Sequence, residues 1–368
     1  ANFPSSQFVG VDRSARQIEQ ARHLVGALSL TNIELRAQDL MDLADDVGLF
    51  DYIIVHGVYS WVPPAVQARV LQICQRHLAP HGVAFISYNA YPGFYRRQPI
   101  MDMMRYHVAG MQTGGDPAQI VRHGRALLSF LQGSQNDPDG TMARLLREEE
   151  QRIAQMPDSY IFHEHFEADN RPCYFHEFMA AADAHGLRYV GDAQNKPGLE
   201  GLSGGAQQVL QQLEGDEVRQ EQYVDFVRST ALRSSILCRK EVTLTRGAVK
   251  APPDGVWVLT DARPESAADL APERVRGPAE VKFRSAIGTA TLEHPEFKSM
   301  LVALHTHRPG AMQLPDLTVR ASEILGAPVA LSDITDMVMY GFRSSLVMLR
   351  SALPPLTLTL SDRPCASA

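Results

Sequence analysis

The chain has 368 residues, of which 45% are hydrophobic and 21% charged, and its formal net charge is −7. This length predicts two or three domains, and the acidic balance without a basic cluster argues against a protein that binds nucleic acid or an anionic membrane. No apolar run approaches the roughly 20 residues that span a bilayer, and the four cysteines are too widely spaced for a disulfide or zinc framework, which favours a reducing, cytoplasmic compartment.

The first part of the chain alternates between short apolar strands and amphipathic helices. FVGVD, NIELRA, FDYIIV and VAFISYN are typical of buried strands, whereas the stretches that begin at Ser14 and Pro63 repeat their apolar residues with a helical period. Strands and helices that alternate with short connections form a parallel sheet covered on both faces. The sequence therefore predicts an α/β fold with a Rossmann-like sheet.

A helical insertion interrupts this alternation. From Arg96 to about Arg152 the chain shows helical periods and no strand pattern, and Met101, Met103 and Met104 fit the core of these helices better than a binding stripe. A helix in FHEFMAAADAHGL and strands in RYVGDAQ and SSILCRKEV follow. We therefore expect the chain to return to the same sheet.

The last part of the chain is predicted to form a separate module. A stretch rich in proline and alanine near Lys250 is typical of a linker. Beyond it, three helical stretches and the strand PLTLTLS favour a winged-helix-like α+β domain that packs or docks and does not read DNA. The predicted organisation is a Rossmann-like core over 1–95, a helical regulatory or lid insertion over 96–172, a return to the core sheet over 173–245, a linker over 246–280 and the winged-helix-like domain over 281–368.

Polar residues stand where the predicted strands end. Asp12 ends the first strand, Asp39 follows the second, and HGVYSW follows the third. Ligands of open parallel sheets bind beyond the carboxyl ends of the strands, where an Asp can accept hydrogen bonds from both hydroxyls of a ribose. Asp39 could accept from an adenine amino group with Leu40 beside the ring, so the pattern indicates an adenosine pocket. The alternative is that each Asp caps a helix or a turn.

Several motifs together resemble a known family. FVGVDRS, AQDL, FDYIIVHGVYSWVP and LAPHGVAFISYNAYPG are similar to the class I S-adenosylmethionine-dependent methyltransferases. PDSYIFHEHFE and RPCYFHEF resemble the regulatory domain that one group of them carries, which includes protein-lysine methyltransferases acting on an outer-membrane protein of intracellular bacteria. The resemblance implies S-adenosyl-L-methionine as the cofactor, bound by Asp12, Arg13, Asp39, Leu40, His56 and Gly57.

The resemblance also implies a segment that is not found in this sequence. In the family, an acidic residue and a glycine-rich loop precede the strand that carries Asp12, and the loop approaches the methionine part of the cofactor. We therefore expect an N-terminally truncated sequence in which the first strand of the sheet is missing, and weak cofactor binding by this chain alone.

The methyl acceptor is expected to bind after the third and fourth strands. Methyl transfer needs a nucleophile aligned about 3 Å from the methyl group, and an ammonium acceptor must first lose a proton, which Tyr59 or His56 could take. Aromatic rings and Ser60 could line the site, since ring faces favour an amine that gains charge. Packing in the core is the alternative for His56, Tyr59 and Trp61. The predicted substrate-binding residues are Tyr59, Trp61, Tyr88, Asn89, Tyr91, His163 and His165.

The HEH sequence at residues 163–165 invites comparison with a metal site. We expect an extended segment here, in which His163 and His165 point to opposite sides, so no metal is predicted. A cover over the acceptor site and plain structural hydrogen bonding are the two remaining interpretations.

These patterns favour a cytoplasmic S-adenosylmethionine-dependent methyltransferase that acts on an amine of a protein, such as lysine. The extra domains provide surface for a large substrate and are compatible with a homodimer. The absence of an (N/D)PP(Y/F) motif argues against nucleic acid as the substrate. A small-molecule methyltransferase and a non-catalytic interaction module with the same fold are the alternatives. A dinucleotide-dependent oxidoreductase does not fit HGVYSWV and SYNAYPG.

Overall fold

A computed structural model describes residues 3–111, 115–167, 169–193, 202–213, 215–245, 249–285 and 288–353. Within these ranges the chain forms an α/β core, a group of helices and a C-terminal α+β module. The predicted strand PLTLTLS, at residues 355–361, lies outside the described residues.

The core strands form two sheets. In chain order they are β1 (Phe8–Asp12), β2 (Ile33–Ala37), β3 (Phe50–Val55), β4 (Leu78–Asn89), β5 (Leu187–Asp192) and β6 (Leu232–Arg239). β1 and β2 pair in parallel, and the larger sheet has the order β3-β4-β6-β5. Its first pair is parallel and the other two are antiparallel, so β5 and β6 lie in the same sheet as β3 and β4.

β4 is an interior strand and carries much of the core. Ala84 and Ile86 are fully buried and belong to a cluster that includes residues of helices α2 (Pro64–His77) and α7 (Phe175–Ala184). β4 begins at Leu78 and runs through the PHG sequence at residues 80–82. The strand runs through these residues because it pairs with β3. Gly82 lets the backbone of β4 approach the carbonyl oxygen of Phe50, from which an added Cβ would be only 2.7 Å away. Helix α1 (Ala15–Ala27) follows β1 as predicted.

A groove separates β1 from β3. Among the described residues, no strand pairing joins the β1–β2 pair to the larger sheet, and a cavity of about 190 Å³ lies between them. Val9 and Val11 line one side, and Tyr52 and Ile54 line the other. Tyr52 and Ile54 are 74% and 73% exposed, so the apolar centre of β3 is less buried than a doubly covered strand would be.

The predicted helical insertion is present. Its helices are α3 (Gln98–Ala109), α4 (Pro117–Gly133), α5 (Thr141–Ile153) and α6 (Asp158–Phe166). Their apolar faces share a core of buried residues such as Met104, Val121 and Ile161. Met101 and Met104 are buried, which agrees with a packing role for these methionines.

The chain returns to the sheet through α7, α8 (Gly204–Gln211) and α9 (Glu217–Arg228). The buried Arg233 of β6 ties this part together, because its guanidinium donates to Asp225 at 3.0 Å and to Glu221 at 2.9 Å. It also lies 4.2 Å from the ring centroid of Phe175. A buried cation that is paired in this way holds β6 against α9 and α7.

The C-terminal module begins earlier than predicted. Val256, Val258, Ala262 and Val275 lie inside the expected linker over 246–280, yet they are buried in one core with the C-terminal helices. Strands of two or three residues have no period that a sequence window detects, which explains the error. The elements are β7 (Trp257–Leu259), β8 (Arg263–Pro264), α10 (Pro272–Arg276), β9 (Val281–Ser285), β10 (Gly288–Leu292), α11 (Pro295–Thr306), α12 (Leu314–Leu325), α13 (Leu331–Arg343) and β11 (Met348–Arg350). A winged-helix-like topology stays a prediction.

The described ranges contain neither a membrane-spanning helix nor a cluster of metal ligands. None of the helices there is both long and apolar enough to cross a membrane. No group of three or more His, Cys, Asp or Glu side chains in the same ranges is arranged to bind a metal ion.

Candidate active site

The segments around the carboxyl ends of β3 and β4 meet at His56. The imidazole Nδ1 lies 2.9 Å from Oγ of Ser87, and the same hydroxyl oxygen accepts a hydrogen bond from the backbone N–H of Gly57 at 3.0 Å. Gly57 has a φ of 68°, a conformation that favours glycine. His56 is exposed, whereas Ser87 is 2% exposed. A buried hydroxyl therefore orients an exposed imidazole.

The direction of the hydrogen bond between His56 and Ser87 decides which nitrogen of His56 can take a proton. The hydroxyl has one hydrogen and two lone pairs, and one lone pair accepts from Gly57. When Nδ1–H donates to the second lone pair, Nε2 is free to accept a proton. When the hydroxyl donates to Nδ1, Nε2 already carries the proton of the neutral ring. Only the first arrangement allows His56 to act as a general base through Nε2.

The 169–173 segment lies along the end of β4. The backbone N–H of Asn89 donates to Oγ of Ser60 at 2.8 Å, and Nδ2 of Asn89 donates to Oδ1 of Asn170 at 3.1 Å. The Ser60 carbonyl accepts from the N–H of Arg171 at 2.7 Å, and the Asn89 carbonyl accepts from the N–H of Cys173 at 3.1 Å. The segment is thus fixed to the end of the sheet by both backbone and side-chain bonds.

Aromatic rings extend from the same part of the chain. Trp61 packs on His163 of α6 with ring centroids 4.5 Å apart, which connects the core to the helical insertion. Tyr91 stacks on Tyr95 at 4.0 Å and lies 5.4 Å from Tyr174. Burial raises the pKa of Tyr91, so its hydroxyl stays protonated. Such ring faces can stabilise a cationic amine.

Asp12 and Asp39 each combine a capped turn with a free oxygen. Oδ1 of Asp12 accepts from the N–H of Ser14 at 2.7 Å, and Oδ1 of Asp39 accepts from the N–H of Met41 at 2.9 Å. Each aspartate therefore closes a turn with one carboxylate oxygen. Their Oδ2 atoms accept no hydrogen bond from the residues that the structure describes, so they remain available to a ligand.

The residues next to the two aspartates differ in exposure. Arg13 is exposed, whereas Leu40 is partly buried. Leu40 and Val58 line the groove between β1 and β3. Because Leu40 follows β2 and Val58 follows β3, the segments after these strands lie close to one another.

Tyr59 and Tyr88 lie in the core, which corrects two expectations. They are 5% and 1% exposed, and both contact the ring of Phe178, with centroids 5.2 Å and 4.1 Å away. Burial raises the pKa of both phenols and so disfavours the phenolate that a proton acceptor requires. These positions support packing roles and argue against proton transfer by Tyr59 and substrate contact by either tyrosine.

The HEH sequence is helical, not extended as we expected. His163 is partly exposed and faces Trp61, whereas His165 is fully buried. Nε2 of His165 lies 2.7 Å from Glu149, and its Nδ1 lies 3.2 Å from the carbonyl oxygen of Ile161. Because both ring nitrogens of His165 have partners inside the helical core, the expectation that it contacts a substrate is corrected to a structural role.

Two residues of this arrangement were not predicted, Ser87 and Asn170. Ser87 lies inside the SYN motif, so its signal was a hydroxyl next to residues that were singled out. Asn170 lies between the two regulatory motifs and 81 residues after its partner Asn89. No spacing rule connects positions so distant, and only the fold brings them together.

Two family models match the chain. The model described as "Methyltransferase domain" matches residues 1–82, and the one described as "Predicted methyltransferase regulatory domain" matches residues 157–239. The second match runs from α6 to β6. It therefore includes two strands of the sheet and starts later than the regulatory insertion that we predicted over 96–172.

Relatives and a solved structure agree with these matches. Uncharacterized protein RP028 of Rickettsia prowazekii (strain Madrid E) is 38% identical over 180 residues, which are 49% of this chain and 71% of that protein. Uncharacterized protein RP789 of the same organism is 38% identical over 246 residues, 66% of this chain and 44% of that protein, so this chain spans less than half of it. The structure of PKMT2 from Rickettsia typhi in complex with AdoHcy superposes with a TM-score of 0.83 at 28% identity and covers 100% of this chain and 71% of that one.

These similarities place the chain among the class I S-adenosylmethionine-dependent methyltransferases that carry a methyltransferase regulatory domain. The resemblance recognised in the sequence motifs is thereby confirmed. The mixed α/β fold with its central sheet agrees with this family.

Proposed function

We propose that the protein transfers a methyl group from S-adenosyl-L-methionine to an amine of a protein, with lysine as the acceptor. The observation that carries the proposal is the pair of contacts at the carboxyl ends of β3 and β4, His56 with Ser87 and Asn89 with Ser60, where ligands of open α/β sheets bind. Family membership supports the same reaction.

The residues around the strand ends fit the adenosine part of this cofactor. Asp12 and Asp39 each offer a carboxylate oxygen that no described residue uses, and the ribose hydroxyls and the adenine amino group are donors that suit them. Leu40 offers apolar contact, while Arg13 and Gly57 lie next to the proposed pocket. When bound, the cofactor supplies a methyl group that is already activated as a sulfonium.

Proton removal is assigned to His56. Lysine has an unperturbed pKa of about 10.4, so near neutral pH it arrives as an ammonium without a lone pair. The Nδ1–H tautomer of His56, with Ser87 as the acceptor of its hydrogen bond, leaves Nε2 free for that proton. Trp61 and Tyr91 offer ring faces to the amine, and His163 supports Trp61.

A protein acceptor is supported by similarity and by architecture. The solved relative is named PKMT2, in which PKMT denotes a protein lysine methyltransferase. The helical insertion and the C-terminal module add surface on which a large substrate can dock. We further propose a cytoplasmic location and a protein substrate in place of nucleic acid; a homodimer stays a prediction.

The proposal is tested by titrating AdoHcy into the protein expressed from the complete reading frame that encodes this sequence. Labelled methyl transfer from S-adenosylmethionine is then followed in a cell extract, with mass spectrometry to locate the label. Saturable binding and label on lysine side chains are expected. Label only on small molecules would favour a small-molecule methyltransferase, and absence of AdoHcy binding would favour a non-catalytic module.

The proton-transfer role is tested with His56→Ala. We expect methyl transfer at neutral pH to fall by about 10²–10⁴-fold and to recover partly at higher pH, because more lysine is then deprotonated. AdoHcy binding measures whether the pocket itself is intact. Tyr59→Phe is the matched control, because it removes the hydroxyl of the other residue considered for this role, and it should retain turnover. A pH profile of His56→Ala parallel to that of the wild type would contradict the assignment.

A further inference from the structure

The amide pair Asn89–Asn170 contains an unsatisfied polar group beside the candidate site. Nδ2 of Asn170 is buried and has no hydrogen-bond partner within the described part of the chain, although its Oδ1 accepts from Asn89 at 3.1 Å. Asn89 itself is 8% exposed. Leaving a buried amide N–H unpaired costs free energy, so native structures seldom keep one without a functional reason.

The direction of the bond between the two amides determines how Asn89 faces the site. An asparagine side chain has one donor end and one acceptor end. Because Nδ2 of Asn89 is directed to Asn170, its Oδ1 is directed away from that residue, and none of the described residues donates to it. The backbone of Asn89 is fixed as well, since its N–H donates to Ser60 Oγ at 2.8 Å. The free carbonyl oxygen therefore has a defined orientation.

We propose that Oδ1 of Asn89 accepts a hydrogen bond from the amine that receives the methyl group, and that Asn170 is the positioning residue that orients this oxygen. The inference rests on the proposed function and refines it, because it assigns the recognition of an N–H-bearing acceptor to one residue of the core and one of the regulatory region. The 169–173 segment is the link, since its backbone bonds hold Asn170 against the end of β4.

Two ligands, AdoHcy and sinefungin, distinguish contacts at the methyl-transfer position from contacts in the rest of the cofactor pocket. AdoHcy lacks the transferable methyl group, whereas sinefungin has an amine at the place of that group. The ratio of their dissociation constants therefore reports on groups that face the amine. Both are titrated by calorimetry into the protein expressed from the complete reading frame.

Asn170→Ala and Asn170→Asp test the positioning role. The alanine variant removes the acceptor that orients Asn89, so sinefungin should bind about tenfold more weakly, as expected for loss of one hydrogen bond to a charged group. AdoHcy affinity should change by less than about twofold. The aspartate variant keeps an acceptor at this place and should retain sinefungin binding. Asp169→Ala is the matched control, because Asp169 is the neighbouring residue and its carboxylate pairs with Arg171.

The remaining outcomes would overturn either the proposed function or the role of Asn170. A wild-type protein that binds neither ligand would overturn the proposed function and the inference with it. Normal AdoHcy binding with an unchanged ligand ratio in Asn170→Ala would overturn the inference alone. Equal weakening of both ligands, or an Asn170→Asp variant that behaves like Asn170→Ala, would reduce Asn170 to a structural role and likewise overturn it.

Discussion

At the scale of single residues, Asp12 shows how one carboxylate serves a turn and a ligand site together. One oxygen accepts from the N–H of Ser14 at 2.7 Å just before α1, which Ser14 itself caps. The other oxygen has no partner in the described ranges. The two interpretations made from the sequence, a cap and a ribose contact, are therefore compatible.

Replacing Asp12 with Ala should weaken AdoHcy binding by more than about tenfold, the effect of losing hydrogen bonds to a charged group. Asp116→Ala is the control, because Asp116 likewise accepts from the N–H two residues further on, that of Ala118 at 3.1 Å. Both variants should lose about 1 kcal/mol of stability, measured by urea unfolding. Equal AdoHcy affinity in the two variants would remove Asp12 from the site.

Gly93 explains why the SYNAYPG motif ends in glycine. A Cβ at this position would overlap the backbone of residues 229–231, including the carbonyl oxygen of Ser229. Gly93→Ala should therefore lower the free energy of unfolding by about 1–3 kcal/mol, as overpacking does. Gly26→Ala is the control, since nothing lies within 4 Å of its added Cβ in α1, and it should gain about 0.5–1 kcal/mol. Similar melting temperatures for both variants would contradict the close packing.

At the scale of elements, Glu149 of α5 holds the helical insertion together. It is 2% exposed and accepts from Arg97, which precedes α3, and from His165 on α6. Burial by itself would raise the pKa of Glu149, but the hydrogen bonds from His165 and Arg97 and the charge of Arg97 outweigh it and lower the pKa to about 2.

This lowered pKa predicts an acid-sensitive insertion. A carboxyl whose pKa is lower in the folded state than its unfolded value of 4.5 stabilises the fold above that value, and the stabilisation is lost as the pH falls from about 5 toward 2. The loss amounts to roughly 3 kcal/mol. Glu149→Gln should be less stable than the wild type at pH 7, and the difference should shrink toward pH 3.

Glu148→Gln is the control for this prediction, because Glu148 is the preceding, exposed residue of the same helix. Its effect on urea unfolding should be within about 0.5 kcal/mol at every pH. A stability difference between wild type and Glu149→Gln that stays constant from pH 7 to pH 3 would show that the charge of Glu149 is not what stabilises the insertion.

At the scale of the whole molecule, the described residues bury their apolar side chains in separate clusters. The core of the C-terminal module runs from Val256 to Val347 and includes Phe283 and Met300. The core of the sheet and that of the insertion contain none of these residues. A module with its own core can fold alone.

Residues 249–368 expressed alone should therefore give a cooperative unfolding transition with helical circular dichroism. Phe283→Ala in this fragment should lower its stability by about 3–5 kcal/mol, because the ring is fully buried. A fragment without a cooperative transition would show that the module depends on the rest of the chain.

Much of the architecture follows from local sequence patterns. The helical period located α1, α2 and the first three helices of the insertion, α3 to α5, and short apolar runs located β1 to β6. The errors occur where local patterns carry little information. β8 has only two residues, and the short HEH stretch did not distinguish an extended segment from α6.

The sequence by itself determined the α/β class, the family and the strand ends at which the candidate site lies, because periodicity and short motifs are local properties of the chain. Only the tertiary structure decided which side chains reach that site. It buried Tyr59, Tyr88 and His165, left His56 exposed on Ser87, and brought Asn170 to Asn89 across 81 residues. Burial and long-range pairing depend on packing between distant segments, and no local pattern records them.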